Sequence, residues 1–197
     1  MPAQGTRQQI VESAADLMWR RGYNRASVDE IIRNAGICKG SFYHHFPSKE
    51  ALGLAVIDTW VEHFVGHIRA KLSATGTPEQ NLHGILDGML TAQQASGFLG
   101  CPLGRLALEM GDASDELRLR LQMGFDGIRD LFATYLREAG MGETEAMEQG
   151  RYLLATLEGS LMLDKVRGGG HVLNGLIAAM KSDVSRRLTS FHAATAG

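Results

Sequence analysis

The stretch from Ser27 to Glu50, SVDEIIRNAGICKGSFYHHFPSKE, constrains the fold of this chain more than any other. Apolar residues in its first part recur at helical spacing, and Gly36 follows them where a left-handed turn favours a residue without a side chain. The second part keeps only Phe42 and Phe46, four residues apart, for a hydrophobic core. The pattern therefore predicts two short helices joined by a tight turn, with the second helix largely exposed.

The second short helix carries the groups that a reader of the DNA major groove needs. Small residues let the backbone approach DNA closely, hydroxyl and imidazole groups can hydrogen-bond to phosphates or base edges, and an ammonium can neutralise a phosphate. We predict a helix-turn-helix over about residues 27–46. The DNA contacts predicted from residue type and position are Lys39, Gly40, Ser41, Tyr43, His44 and Lys49.

Three segments of this region resemble, in order and spacing, the TetR family of bacterial transcriptional regulators. They are Ala35-Gly36-Ile37, Lys39–Phe46 and Ser48–Leu52, and the resemblance covers roughly residues 6–55. It implies an all-α fold of about nine helices. It also implies an N-terminal three-helix domain, 1–50, that binds DNA, and a C-terminal helical bundle, 51–197, that binds a ligand and forms the dimer.

The resemblance adds Arg7, Ser27 and Cys38 to the predicted DNA contacts. Arg7 has an alternative interpretation as a solvated arginine, because a cation in the first turn of a helix opposes the helix dipole. In the family, position 38 is usually Ser or Thr and caps the recognition helix. Cys38 is a weaker cap than Ser or Thr, and the phosphate contact expected at this position depends on the cysteine side chain.

Composition and charge favour a soluble cytoplasmic protein. The sequence has no apolar run of about 18 residues and no apolar signal core near its start, so we expect neither a membrane span nor export. Two cysteines form no disulfide framework. Residues 1–50 hold seven Lys and Arg against five Asp and Glu, whereas the remainder holds 13 against 17, so a mildly basic segment precedes an acidic body.

Helix starts are predicted from three Ser or Thr residues that are followed three positions later by Glu or Gln. These capping boxes pair Thr6 with Gln9, Ser27 with Glu30, and Thr77 with Gln80. Towards the end of the chain, the helices predicted over about 144–166 and 171–191 have more apolar surface than one inner face explains. We therefore expect a homodimer through these last two helices, doubled into a four-helix interface.

Cys101 precedes Pro102, which suits the first position of a helix. A thiolate there would be favoured by the positive end of the helix dipole, although most free cysteines are small buried hydrophobes. Gly100-Cys101, followed by a Leu- and Ala-rich helix and by Asp112-x-Ser-x-Glu116, resembles a NemR-like branch of the TetR family. That resemblance implies that Cys101 senses electrophiles or oxidants, and that Lys165 lies near it and could condense with a sulfenic acid.

The resulting hypothesis is a homodimeric repressor that binds double-stranded operator DNA and is released by a small-molecule inducer or by an electrophile or oxidant at Cys101. The alternative trigger is a non-covalent apolar ligand. Its predicted pocket residues are Trp60, Phe64, Met89, Leu106, Met110, Phe125 and Met162.

A more distant alternative is an enzyme that uses Cys101 with His63, His67 or His83. The sequence has no nucleophile elbow, oxyanion motif or carboxylate at a recognisable spacing, so we expect no catalytic activity. His63 and His67 are four residues apart, a spacing that can bind metal, but no third ligand is near in sequence. We accordingly expect no metal and no cofactor.

Overall fold

The computed structural model describes residues 5–71, 76–110 and 114–195, and over these residues the chain is built from nine helices with no strand. The side chains of residues 67, 69–71, 192, 194 and 195 lie outside the description. The helices are α1 (Thr6–Arg21), α2 (Val28–Ala35), α3 (Lys39–His45), α4 (Lys49–Lys71), α5 (Pro78–Ser96), α6 (Pro102–Met110), α7 (Asp115–Glu138), α8 (Glu143–Arg167) and α9 (His171–Thr195). The all-α prediction is confirmed.

The chain divides into two compact units. The first unit contains the residues up to Phe64 together with Pro102–Gly124. The second unit contains Val65–Cys101 together with Phe125–Gly197. The division of function between 1–50 and 51–197 stays a prediction.

The first unit is built around the N-terminal helices. Ile10 and Met18 of α1, Ile31 of α2 and Phe42 of α3 are fully buried, and each of these helices contacts the other two. Burying one such side chain contributes about 1.5–3 kcal/mol, so these residues fix α3 against α1 and α2. Gly36 ends α2 in the left-handed conformation, with φ of 65°, as its position predicted.

The three predicted capping boxes have different outcomes. The Thr77 box is complete, since the Thr77 hydroxyl accepts from the Gln80 N–H and the Gln80 side chain accepts from the Thr77 N–H. Ser27 accepts from the N–H of Glu30, but the Glu30 carboxylate pairs with Arg21. The Thr6 box is wrong, because Gly5 is the N-cap of α1 and Thr6 already lies inside the helix.

The second unit is organised by the antiparallel pair α8 and α9. Leu153 and Leu157 of α8 and Leu173 and Val184 of α9 are buried in its core. Asp164, also fully buried, accepts hydrogen bonds from the N–H groups of Val172 and Leu173 at 2.9 and 2.8 Å. Two backbone donors at the start of α9 are thereby satisfied.

Among the described residues, no helix is both long enough and apolar enough to cross a membrane.

Candidate nucleic-acid interface

Helix α3 has one buried side and one exposed polar side. Lys39, Gly40, Tyr43 and His44 are exposed, and Ser41 is half-buried. Nothing lies within 4 Å of the position that a Cβ would occupy on Gly40, so another molecule can reach the backbone there. The exposed side therefore presents an ammonium, a phenol and an imidazole next to open backbone.

Two phenylalanines hold the other side of α3 in the first unit. The ring of Phe42 meets the half-exposed Tyr43 edge-on, with 5.2 Å between centroids. Phe46 is buried just after α3, and the Arg7 guanidinium lies over its ring at 5.2 Å from the centroid. Cation–π contacts of this kind contribute about 0.5–1 kcal/mol at exposed sites. The exposed Arg7 of α1 therefore lies beside the end of α3.

The N-termini of the two short helices are capped differently. Ser27 caps α2 by accepting the Glu30 N–H at 3.2 Å. Cys38 occupies the cap position of α3, is exposed and makes no side-chain capping bond. The weaker cap expected at Cys38 agrees with this geometry, and the phosphate contacts of Ser27 and Cys38 stay predictions.

Two lysines predicted to contact DNA have partners within the protein. The Lys39 ammonium lies 3.3 Å from the carboxylate of Asp29, with both side chains well exposed. The Lys49 ammonium lies 4.4 Å from the centre of the Tyr23 ring and 3.5 Å from the carbonyl oxygen of Asn24. Lys49 is only half-exposed as a result. A DNA phosphate would have to compete with Asp29 for Lys39, whereas the uncharged ring and carbonyl oxygen hold Lys49 in place.

Cys101 lies in the second unit, where its thiol hydrogen-bonds to the carboxyl group of Glu158. Burial raises the pKa of Glu158, and the hydrogen bond from Cys101 opposes that shift. An ionised Glu158 would repel a thiolate, which opposes the effect expected from the start of α6. Gly100 approaches Lys165, since a Cβ on Gly100 would lie 3.5 Å from Lys165 Cδ. Asp112, part of the resemblance that suggested this site, lies outside the described residues.

The predicted pocket residues are divided between the two units. Leu106 and Met110 are buried, and Trp60 and Phe64 half-buried, in the first unit. In the second unit Met89 and Phe125 are half-buried, whereas Met162 is 57% exposed on α8. Met162 therefore faces outward in the single chain. The pocket itself stays a prediction.

The histidines considered for catalysis have other surroundings. His63 is exposed, and the side chain of His67 lies outside the described residues. Nε2 of His83 lies 4.0 Å from a carboxylate oxygen of Glu79. No group of three His, Cys, Asp or Glu side chains within the described ranges could hold a metal ion.

Comparison with known proteins identifies the family. Residues 10–56 match the profile of bacterial regulatory proteins of the tetR family, and residues 78–178 match the C-terminal domain of LmrA/YxaF-like transcriptional regulators. YxaF, an HTH-type transcriptional regulator of Bacillus subtilis, is 30% identical over 163 residues, which cover 80% of this chain and 84% of that protein. The chain belongs to the TetR family. It is therefore a DNA-binding transcriptional regulator, and α2 and α3 form its helix-turn-helix.

Other TetR-family proteins support the same fold over nearly the whole chain. A TetR regulator from Legionella pneumophila superimposes with a TM-score of 0.85 at 22% identity, covering 93% of this chain and 99% of that one. The transcriptional repressor NemR of Escherichia coli is 24% identical over 193 residues, covering 91% of this chain and 94% of that protein. The structure of reduced NemR matches with a TM-score of 0.78 at 24% identity, covering 90% of this chain and 96% of that one.

Three carboxylates next to predicted site residues of this TetR-family regulator were not found from its sequence. Asp29 pairs with Lys39, and Glu158 hydrogen-bonds to Cys101. The Glu109 carboxylate opposes the lowering of the Lys49 pKa by burial. Asp29 lies ten residues before Lys39, and each residue is near the start of one helix of the predicted helix-turn-helix. That prediction could have suggested the pair. The other two partners are distant in sequence, and no local pattern indicates them.

Proposed function

We propose that this TetR-family regulator is a cytoplasmic homodimeric repressor, released from its operator by a small molecule or by an electrophile or oxidant that reacts with Cys101. The exposed polar side of α3 carries the DNA-binding part of the proposal. NemR of Escherichia coli, which aligns with this chain over 94% of its length, is named a transcriptional repressor. This name supports repression rather than activation. Each subunit would place α3 in one of two successive major grooves.

The dimer is supported by the outward faces of α8 and α9. Met162, Leu163 and Val166 on α8 are 57%, 47% and 83% exposed. On α9 the small residues Gly175 and Ala178 are exposed at helical spacing. Apolar and small side chains on two adjacent helices suit the same two helices of a second copy, because a two-fold axis makes such a surface self-complementary.

The covalent trigger is supported by the surroundings of Cys101. Alkylation by an α,β-unsaturated carbonyl compound forms a bond from Sγ to the β-carbon, and the thiol proton must be removed. Glu158 is already hydrogen-bonded to that thiol and could accept the proton before the α-carbon takes it up. Lys165 packs near the adjacent Gly100, where its ammonium would attract a thiolate.

The proposal is tested by fluorescence-anisotropy binding to duplexes that flank the protein's own gene, with and without N-ethylmaleimide. We expect tight, salt-dependent binding that the reagent abolishes in wild type and in Cys38→Ser, but not in Cys101→Ser. If the reagent instead abolishes DNA binding by Cys101→Ser but not by Cys38→Ser, the sensor is Cys38, which is exposed at the start of α3.

If the reagent does not change DNA binding, the covalent trigger is contradicted, but the assignment as a DNA-binding regulator stands. A non-covalent apolar ligand would then be the inducer. Leu106 and Met110, the predicted pocket residues that are buried in the first unit, would then be the first to substitute.

The role of Lys165 is tested by the rate at which iodoacetamide labels Cys101. If the ammonium favours the thiolate, Lys165→Met should be labelled more slowly than wild type at the same pH. Equal rates would remove Lys165 from the sensor.

A further inference from the structure

The backbone of Asn24, in the turn between α1 and α2, is held by opposite charges from two different helices. Its N–H donates to the Glu109 carboxylate of α6 at 2.9 Å. Its carbonyl oxygen faces the Lys49 ammonium of α4 at 3.5 Å. One residue of this turn therefore connects an anion and a cation that lie 60 positions apart in the chain.

Glu109 packs tightly against the same turn. Gly22 ends α1 with φ of 91°, and a Cβ at this position would overlap the Glu109 carboxylate. Arg105, one helical turn earlier in α6, lies 3.5 Å from that carboxylate. Its guanidinium also donates to the carbonyl oxygens of Trp19 and Arg20, at 3.1 and 3.2 Å. Arg105 and Glu109 thus bind the last turn of α1 and the residues that follow it.

The negative charge of Glu109 also acts electrostatically on the Lys49 ammonium. Burial lowers the pKa of Lys49, and the Glu109 carboxylate acts in the opposite direction. The ammonium rests on the ring of Tyr23, which is buried beside Asn24. Lys49 is therefore held at the start of α4 by the ring, the Asn24 carbonyl and the field of Glu109.

We propose that Glu109 is a positioning residue for DNA binding: through the Asn24 backbone and Lys49 it fixes the α1–α2 turn and the start of α4, so that α6 governs how tightly the helix-turn-helix holds its operator. The inference rests on the proposed role of Lys49 as a DNA contact. Phosphate contacts fix the register and orientation of the protein on the duplex. A fixed ammonium and turn lose less conformational freedom when base contacts must also form, so DNA that is read at its bases gains more than DNA bound through its phosphates alone.

The test uses duplexes that the wild-type protein selects from a random DNA pool, and a scrambled duplex of equal length. Glu109→Gln keeps an oxygen for the Asn24 N–H but removes the charge. Glu62→Gln is the matched control, because Glu62 is an exposed residue of the same unit and its substitution changes the net charge equally. We expect Glu109→Gln to reduce the ratio of selected to scrambled affinity about ten-fold, as for weakening one charge-assisted hydrogen bond. Glu62→Gln should leave this ratio within about two-fold.

A double-mutant cycle with Lys49→Met tests the route. If Glu109 acts through Lys49, Glu109→Gln should lose most of its effect on the ratio in the Lys49→Met background. An equal effect in both backgrounds would overturn the coupling. Equal ratios for Glu109→Gln and Glu62→Gln would overturn the positioning role itself.

Amide hydrogen exchange provides a measurement that needs no DNA. We expect the Asn24 amide to exchange about ten-fold faster in Glu109→Gln than in wild type or Glu62→Gln. Unchanged exchange would contradict the role of Glu109 in holding the turn. If wild type selected no duplex at all, the proposed DNA contacts would fail, while the exchange rate would still decide whether α6 holds the turn.

Discussion

The Lys39 ammonium pairs with the Asp29 carboxylate at 3.3 Å and so joins the first turn of α3 to the first turn of α2. Lys39 is 64% exposed and Asp29 is 79% exposed. A solvent-exposed ion pair of this kind contributes at most about 1 kcal/mol to stability. The pair is therefore weak enough for a phosphate to replace Asp29, and it opposes DNA binding by no more than this amount.

Asp29→Asn should tighten binding to any duplex by up to about five-fold at low salt, because Lys39 is released and a carboxylate near the phosphates is removed. The measurement is fluorescence anisotropy at two salt concentrations. Asp16→Asn, which breaks an exposed pair within α1, is the control. Weaker binding by Asp29→Asn would show that the pair supports the interface.

Tyr43→Ala should weaken binding to a selected duplex by about 1–3 kcal/mol, because the half-exposed phenol lies on the side of α3 that we assign to the major groove. Tyr43→Phe separates the hydroxyl from the ring, which also packs edge-on against Phe42. Anisotropy titrations with selected and scrambled duplexes distinguish base contact from phosphate contact. Unchanged affinity for both duplexes would remove Tyr43 from the DNA contacts.

Val166→Glu should convert the proposed dimer into a monomer, because two-fold symmetry would bury two carboxylates in an apolar interface. Sedimentation analysis over a range of concentrations measures the change. Leu108→Glu is a matched control, since Leu108 on α6 and Val166 on α8 are both 83% exposed. A dimer that persists in Val166→Glu but not in Leu108→Glu would place the interface elsewhere.

Asp164→Ala should lower the free energy of unfolding by about 2–4 kcal/mol, because two N–H groups at the start of α9 lose their acceptor where burial limits replacement by water. Asp164→Asn should cost less, since one oxygen remains. Urea unfolding at a fixed protein concentration compares the variants, because dimer formation makes stability depend on concentration. A cost below about 0.5 kcal/mol for Asp164→Ala would contradict a capping role.

Glu158→Gln should stabilise the protein at pH 8 relative to wild type, and the gain should vanish towards pH 4. Burial raises the pKa of Glu158 above the ordinary 4.5, so the folded state binds its proton more tightly than the unfolded state. Wild-type stability from this group is present below the ordinary value and is lost as pH rises through the folded value. Urea unfolding across this range measures it, with the exposed Glu148→Gln as a control that should show no such trend.

Local sequence rules predicted the starts of α2 and α5 and the glycine that ends α2, because caps depend on residues within four positions. The Thr77 box formed in full. Thr6 failed because Gly5 can also adopt the extended conformation of an N-cap, which moves the helix start by one residue. Glu30 was diverted to Arg21, nine residues earlier, by the way α1 packs beside α2.

The carboxylate partners of Lys49, Asn24 and Cys101 could not be predicted, because they depend on tertiary packing. Glu109 and Glu158 lie on α6 and α8, and nothing in the residues around them specifies Asn24 or Cys101 as partners. Met162 fits an apolar helical stripe equally well whether that stripe faces a pocket or a second subunit. Its 57% exposure in the single chain favours the second interpretation.

The bond between Asn24 and Glu109 joins residues 85 positions apart. A ribosome that adds about 5–20 residues per second needs on the order of ten seconds to make the intervening chain. During that interval the helix-turn-helix residues have been synthesised, but the carboxylate that holds their turn does not yet exist. A nascent chain therefore gains the bond between Asn24 and Glu109 only after α6 has been translated, although its helix-turn-helix is made first.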